Sequence, residues 1–162
     1  MTKRTSGLLA LGTAIVVVIL VVVMILLIWN KDSNKTTSPS TAQTAANKQQ
    51  IETNWKTFFA AETSLQNRQN LLQDGSQFTQ AIQAEFTSLA SQKSSAVINS
   101  ISLTNSTTAN VVYTVDLNGQ PVLNNEKGSA LLINKTWVVS DATLCQLLSM
   151  AGNTPTACNT TK

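Results

Sequence analysis

The chain reads as an α+β domain carried behind one transmembrane helix. Three features lead there: a charge-free apolar run near the start, a middle stretch with apolar residues at helical spacing, and a final stretch where apolar and polar residues alternate.

Residues 1–7 form a short leader with Lys3 and Arg4, and Leu8 to Ile28 then contains no charged side chain. Roughly 21 helical residues reach about 31 Å, close to the hydrocarbon thickness of a bilayer, where a helix satisfies its own backbone amides. A cleaved signal would have a shorter apolar core, about 7 to 15 residues, and a small-residue cleavage pattern that Leu26-Leu27-Ile28-Trp29-Asn30 lacks. Residues 8–29 are therefore expected to be an uncleaved signal anchor in the plasma membrane, with Trp29 at the interface. Flanking side-chain charge is a tie for orientation. The Ser/Thr-rich stretch and the two cysteines beyond it favour a cytoplasmic N-terminus and an extracytoplasmic C-terminal domain.

The net charge of +3 comes entirely from Lys3, Arg4, Lys31 and Lys35 against Asp32; from Asn47 onward acids match bases one for one. The domain is neutral. Without a basic stripe it lacks the electrostatic term that dominates nucleic-acid affinity, so no nucleic-acid partner is expected.

Residues 30–46, low in apolar content and interrupted by Pro39, read as a flexible linker. The domain proper spans 47–152, with 153–162 as a tail. Its first helix places Ile51, Trp55, Phe58 and Phe59 on one face, with Thr44 as the candidate cap upstream. A second short helix starts at Ser64, carries Leu65, Leu71 and Leu72, and stops at Asp74-Gly75. Ser76 caps a third, in which Phe78, Ile82, Phe86 and Leu89 recur at helical spacing.

Alternation then replaces helical spacing. Val97, Asn99, Ile101 and Leu103 form one face of a strand, and Ala109, Val111, Tyr113, Val115 and Leu117 one face of the next, joined by the Asn105-Ser106-Thr107 turn. Asn118-Gly119 is a second turn, and Pro121 puts Gln120 to Leu123 at an edge or in an irregular connection. Ala130 to Ile133 and Thr136 to Ser140 flank a tight turn at Asn134-Lys135. The pattern predicts about three helices on one face of a curved four-stranded antiparallel sheet, followed by a short helix capped by Asp141 and ended near Gly152.

Cys145 lies on that last helix and Cys158 in the tail. In an extracytoplasmic domain they most simply form one disulfide, which would stabilise the fold by about 3 kcal/mol; the alternative is a buried Cys145 with a free tail thiol. Catalysis finds few materials. The chain has no histidine, which removes Ser-His and Cys-His pairs and His-based metal sites, and its glycines are isolated, which removes a phosphate loop. The carboxylates are scattered singly. Neither an enzyme, nor a metal centre, nor a cofactor is expected.

The run LLQDGSQF (Leu71 to Phe78), preceded by Trp55-Lys56-Thr57-Phe58-Phe59 and followed by the stretch Asn118 to Gly152 with its W-x-V-S-x-A-T-x-C-x-L-L ending, resembles the low-molecular-weight antigen MTB12-like domain of actinobacterial envelope and secreted proteins. The resemblance covers most of Ile51 to Gly152. It implies an NTF2-like or cystatin-like fold outside the cytoplasm, with no established catalytic residues to carry over. The retained anchor departs from the secreted type. Such a fold often forms a cone, and Trp55, Phe58, Phe59, Phe86, Tyr113 and Trp137 are the large side chains that either line a cavity for a small apolar or amphipathic ligand or fill it as plain core. A competing expectation is an interaction module docking on an envelope protein, such as a component of a lipid-transport complex; an envelope hydrolase ranks last.

Overall fold

The computed structural model describes residues 40–159. The anchor expected over residues 8–29 and most of the linker lie outside them, as do the last three residues of the tail; among the described residues no helix is long and apolar enough to cross a membrane.

Helix α1 (Thr41–Phe59) starts earlier than its apolar face required. Ser40, not Thr44, caps it: the Ser40 hydroxyl accepts from Gln43 N at 3.2 Å. Residues 41–46, expected in the linker, are therefore helical. They bury no side chain, but Ala and Gln propagate a helix cheaply once Ile51, Trp55, Phe58 and Phe59 are packed further along it. Helix α2 (Leu65–Asn70) is capped by Ser64 as its sequence suggested, but it ends before Leu71 and Leu72, expected within it, because the backbone there bonds to Val139 instead. Helix α3 (Thr79–Ala90) begins later than expected, because Gly75–Phe78 is a 3₁₀ turn rather than the α-helix first turn that a Ser76 cap would open. The tightness there is backbone against backbone. A Cβ on Gly75 would sit 2.1 Å from the Gln69 carbonyl oxygen, so the L-L-x-x-G turn admits only glycine without a shift of the chain.

The sheet is a meander, β1 (Ser95–Leu103), β2 (Thr108–Leu117), β3 (Gln120–Ile133) and β4 (Thr136–Val139), in that spatial order and antiparallel throughout. Strand β2 alternates as its sequence does, with Ala109, Val111, Tyr113 and Val115 buried. Strand β1 departs from the expected phase. Asn99 is an extra residue between the pairs Ile98–Tyr113 and Ser100–Val112, so the inward set is Ala96 and Ile98 before the bulge and Ile101 and Leu103 after it. Val97, expected inward, is 49% exposed.

A second irregularity lies in β3, where Asn124 and Asn125 interrupt the register between Glu126–Tyr113 and Leu123–Val115, and a third follows at Val122, between Leu123–Val115 and Pro121–Asp116; the first two face each other. Those two bulges are stapled across β2: Asn99 Nδ2 donates to Thr114 Oγ1 at 3.1 Å and to Asn125 Oδ1 at 2.7 Å. Gln120 to Leu123 thus belongs to a long strand and still lies at an edge, because β4 pairs only with Ala130 to Ile133. Of the three hairpin turns, the two-residue ones use left-handed residues, Asn118-Gly119 (φ 53° and 75°) and Asn134-Lys135 (φ 49° and 67°), as their length demands.

Helix α1 packs against β1 and β4 and clips the outer edge of β4: Asn54 Nδ2 donates to the Trp137 carbonyl at 2.7 Å, and Trp137 N–H donates to Gln50 Oε1 at 3.3 Å. Residues 71–73 close the rest of that edge, with Val139 N–H donating to Leu71 O at 2.8 Å and Gln73 N–H to Val139 O at 3.0 Å. Helix α4 (Asp141–Met150) is capped by the Ser140 hydroxyl, not by Asp141, which becomes the first helical residue. Thr143 presses this helix onto β3 at Gly128, where a Cβ would stand 2.8 Å from the Thr143 methyl and 3.0 Å from the Trp55 ring.

Candidate functional site

Four of the six aromatic residues singled out from the sequence come from two helices, Trp55, Phe58 and Phe59 from α1 and Phe86 from α3; Tyr113 comes from β2 and Trp137 from β4. All six are buried. Five of them form one continuous stack: Trp55 meets Tyr113 with ring centroids 5.6 Å apart, Tyr113 meets Phe59 at 5.4 Å, Phe59 meets Phe58 at 5.2 Å, and Phe58 meets Phe86 at 5.5 Å. Tilted and edge-on geometry of this kind adds about 0.5 to 1.5 kcal/mol per pair beyond area burial. Trp137 is buried apart from the stack and, among the described residues, pairs rings with none of it. Burial pushes the Tyr113 phenol well above its ordinary range, and Glu126 on the facing strand adds to that.

Arg68 closes the stack from the α2 side. Its Nε donates to the Phe58 carbonyl at 3.0 Å, its Nη2 donates to the carbonyls of Ala60 and Ala61, and the guanidinium lies 4.0 Å from the centroid of the Phe86 ring. The side chain is 4% exposed. It satisfies the orphan carbonyls at the end of α1, and burial lowers its pKa while nearby Glu62 acts against that. Sequence reading counted Arg68 only in the charge balance of the domain, since its hydrogen-bond acceptors are backbone carbonyls and leave no side-chain signature.

The open apolar site lies beside the stack. Phe59 and Phe86 form its inner wall, Val115, Leu117, Val122 and Leu123 of β2 and β3 its sheet wall, and Leu144, Leu147, Leu148 and Ala151 of α4 its helix wall, around a groove of about 150 Å³. Two residues of the expected pocket, Phe59 and Phe86, line it; Trp55, Phe58, Tyr113 and Trp137 do not. Sequence reading missed the α4 leucines, although Leu144, Leu147, Leu148 and Ala151 recur at i, i+3, i+4, i+7, the stripe of a helix that faces something apolar. At the rim Asn153 Nδ2 donates to Glu85 Oε1 at 2.8 Å, while Val122 on the sheet wall remains half exposed. The Cys145–Cys158 disulfide, with Cα atoms 5.6 Å apart, ties the end of the chain to α4.

One pair of carboxylates does converge. Asp141 is buried at the start of α4, where its Oδ1 accepts from Asp74 N at 3.1 Å and Asp74 supplies a second charge. Burial, with the Asp74 carboxylate adding to it, pushes the Asp141 pKa up from 3.8 to about 6, against the backbone hydrogen bond. Among the described residues no cluster of metal-binding side chains forms.

The structural run from α1 through the sheet to the end of α4 coincides with one family model: residues 44–155 match low molecular weight antigen MTB12, C-terminal domain. The chain belongs to the MTB12 family. No curated protein and no solved structure matches it. The matched MTB12 span takes in all three groove walls and Cys145, and it stops short of Cys158. It also contains the Gly75 turn and Arg68, so the family region holds the features that shape the fold as well as those that form the groove.

Proposed function

We propose that this MTB12 family member is a membrane-anchored, extracytoplasmic, non-catalytic binding protein whose groove takes the apolar part of a small amphipathic molecule. The apolar groove between β2, β3 and α4 carries the reading. Its volume limits the ligand. A cavity near 150 Å³ suits a benzene-sized group, whereas sites enclosing drug-sized ligands run to about 300–1,000 Å³, so the groove takes one ring or a short chain end and leaves the rest outside. Glu85 and Asn153 at the rim give a polar head neutral or cationic company. Anchoring rests on residues 8–29, and the non-catalytic part on the absence of histidine from the chain. The same reading takes the sheet with its three register shifts, backed by helices, as the curved NTF2-like or cystatin-like cone.

A photoactivatable medium-chain amphiphile added to membranes carrying the full chain should label peptides containing Phe86 and α4. Labelling confined to residues 8–29 overturns the groove assignment. A second reading, an accessory subunit of an envelope lipid-transport complex, draws support from the strand edge at Gln120 to Gly128, which among the described residues has no strand outside it and exposes Val122 on the groove wall. Chemical cross-linking in cells separates the two: a stoichiometric partner linked through Lys127 favours docking, and recovery of the chain alone favours the small ligand.

A further inference from the structure

A second cleft, of about 380 Å³, opens between the segment Gln66 to Ser76 and the β3–β4 turn, and its chemistry is unlike that of the groove. Its polar walls present the amides of Gln66, Asn70, Gln73 and Asn134, the Thr136 hydroxyl and the Asp74 carboxylate. Its floor is apolar, formed by Leu72, Ile133 and Val138. No lysine, arginine or aromatic ring lines it. The lack of a cation, with the Asp74 carboxylate in the wall, speaks against a phosphate or sulfate group, and the lack of a ring against a nucleobase, which calls for a stacking platform.

What it matches is a neutral ring with hydroxyls around its edge and C–H bonds on its face. Amides both donate and accept, as a hydroxyl needs, and a carboxylate accepts from two neighbouring hydroxyls at once. The donors are available. Gln66 spends one amide proton on Asn70 Oδ1 at 3.2 Å, and Gln73 spends only its Oε1, on Asp141 N–H at 3.4 Å. Among the described residues, the side chains of Asn134 and Thr136 make no hydrogen bond. The volume lies in the range of ordinary ligand sites. The walls are also fixed relative to each other, since the backbone bonds of Leu71 and Gln73 to Val139 join them, so little ordering is required on binding.

We propose that this cleft binds a neutral polyhydroxylated ring of monosaccharide size, either free or as the head group of a neutral glycolipid. The test is saturation-transfer NMR on the full chain in sugar-free zwitterionic micelles. One arm uses D-glucose, D-mannose and myo-inositol, and the other a neutral glycolipid carrying one hexose. Saturable transfer to a polyol in either arm, weakened about tenfold or more by Asp74→Ala and also reduced by Gln66→Ala, supports the site, and the arm that responds identifies the source. Both residues are exposed, but Asp74→Ala also removes the carboxylate beside buried Asp141; unchanged thermal unfolding of Gln66→Ala keeps the comparison valid where Asp74→Ala shifts stability. Absence of saturable transfer from every probe, transfer unaffected by both substitutions, or tighter binding of inorganic phosphate than of any neutral polyol overturns it.

Discussion

The aromatic stack and the groove are built from the same kind of side chain and share Phe59 and Phe86, yet one is closed and the other open. The difference lies in what covers them. Over the stack, α1 lies across β1 and β4, Arg68 covers one face of Phe86 and ring meets ring at 5 to 6 Å, so the rings are buried against one another. Over the groove, α4 meets β3 at Gly128 and Ser129, where Ser129 N–H donates to Thr143 Oγ1 at 2.9 Å, and its later turns direct Leu144, Leu147, Leu148 and Ala151 toward the groove. Apolar residues alone do not make a site. A site forms where a helix is pinned at one end and leaves an apolar stripe partly uncovered at the other.

The largest expected effect falls in the stack. Phe58, fully buried and in contact with two other rings, should cost about 3 to 5 kcal/mol when changed to alanine, read as the shift in urea midpoint at constant slope. A cost under about 1 kcal/mol would show that the stack is loosely packed and the contrast with the groove false. Next comes the tether of α4. Cys145→Ser with Cys158→Ser should remove about 3 kcal/mol, the loop-closure entropy of a short loop, and should raise the exchange rate of amides in α4 more than of those in α1. Equal acceleration in both helices would mean that the disulfide supports the whole domain and not the groove wall alone.

How far the sequence foretold this contrast depends on the range of the interaction. Strand β2 was legible because its alternation is unbroken, and the start of α2 because its serine cap is local, whereas its end at Asn70 is set by the bonds of residues 71–73 to Val139 in a distant strand. Strand β1 was misphased by one residue at Asn99, a bulge held by Asn125 from two strands away, which no local pattern encodes. Pro121 correctly marked an edge without revealing that β3 continues past it to Ile133. At the site, attention to aromatic rings identified two lining residues and four core residues, while the leucines of α4 carried the better signal in their spacing. The Asp74–Asp141 approach joins positions 67 residues apart and leaves no trace in either neighbourhood.

That carboxylate pair tests the pinned end of α4. Asp141 has its folded pKa raised to about 6, so between roughly pH 4 and 6 the native state binds more protons than the unfolded chain, and stability falls as pH rises through that window. Asp141→Asn keeps an oxygen to accept from Asp74 N and removes the ionisation. Relative to the parent it should gain little at pH 4 and on the order of 2 kcal/mol at pH 7.5, measured by urea unfolding at both values. An equal difference at the two pH values would place Asp141 in contact with water and leave α4 without its buried start.

The smallest effect on stability should fall in the groove and should bear most directly on function. Leu147 lies half-buried on the groove wall, so Leu147→Ala removes side-chain area that is already partly in water and should cost only about 1 kcal/mol. The same change enlarges the slot and strips contacts from any apolar group seated in it. If the groove is the binding site, labelling by the amphiphile at Phe86 should drop about tenfold, since a few methyl or methylene contacts in a hydrophobic pocket are worth that much. Phe58→Ala reverses the ranking: it unsettles the fold far more, and labelling then falls only in proportion to the unfolded fraction. The two substitutions together separate a wall that binds from a core that merely holds, and a Leu147→Ala chain that labels like the parent would make the groove no more than the gap left between α4 and the sheet.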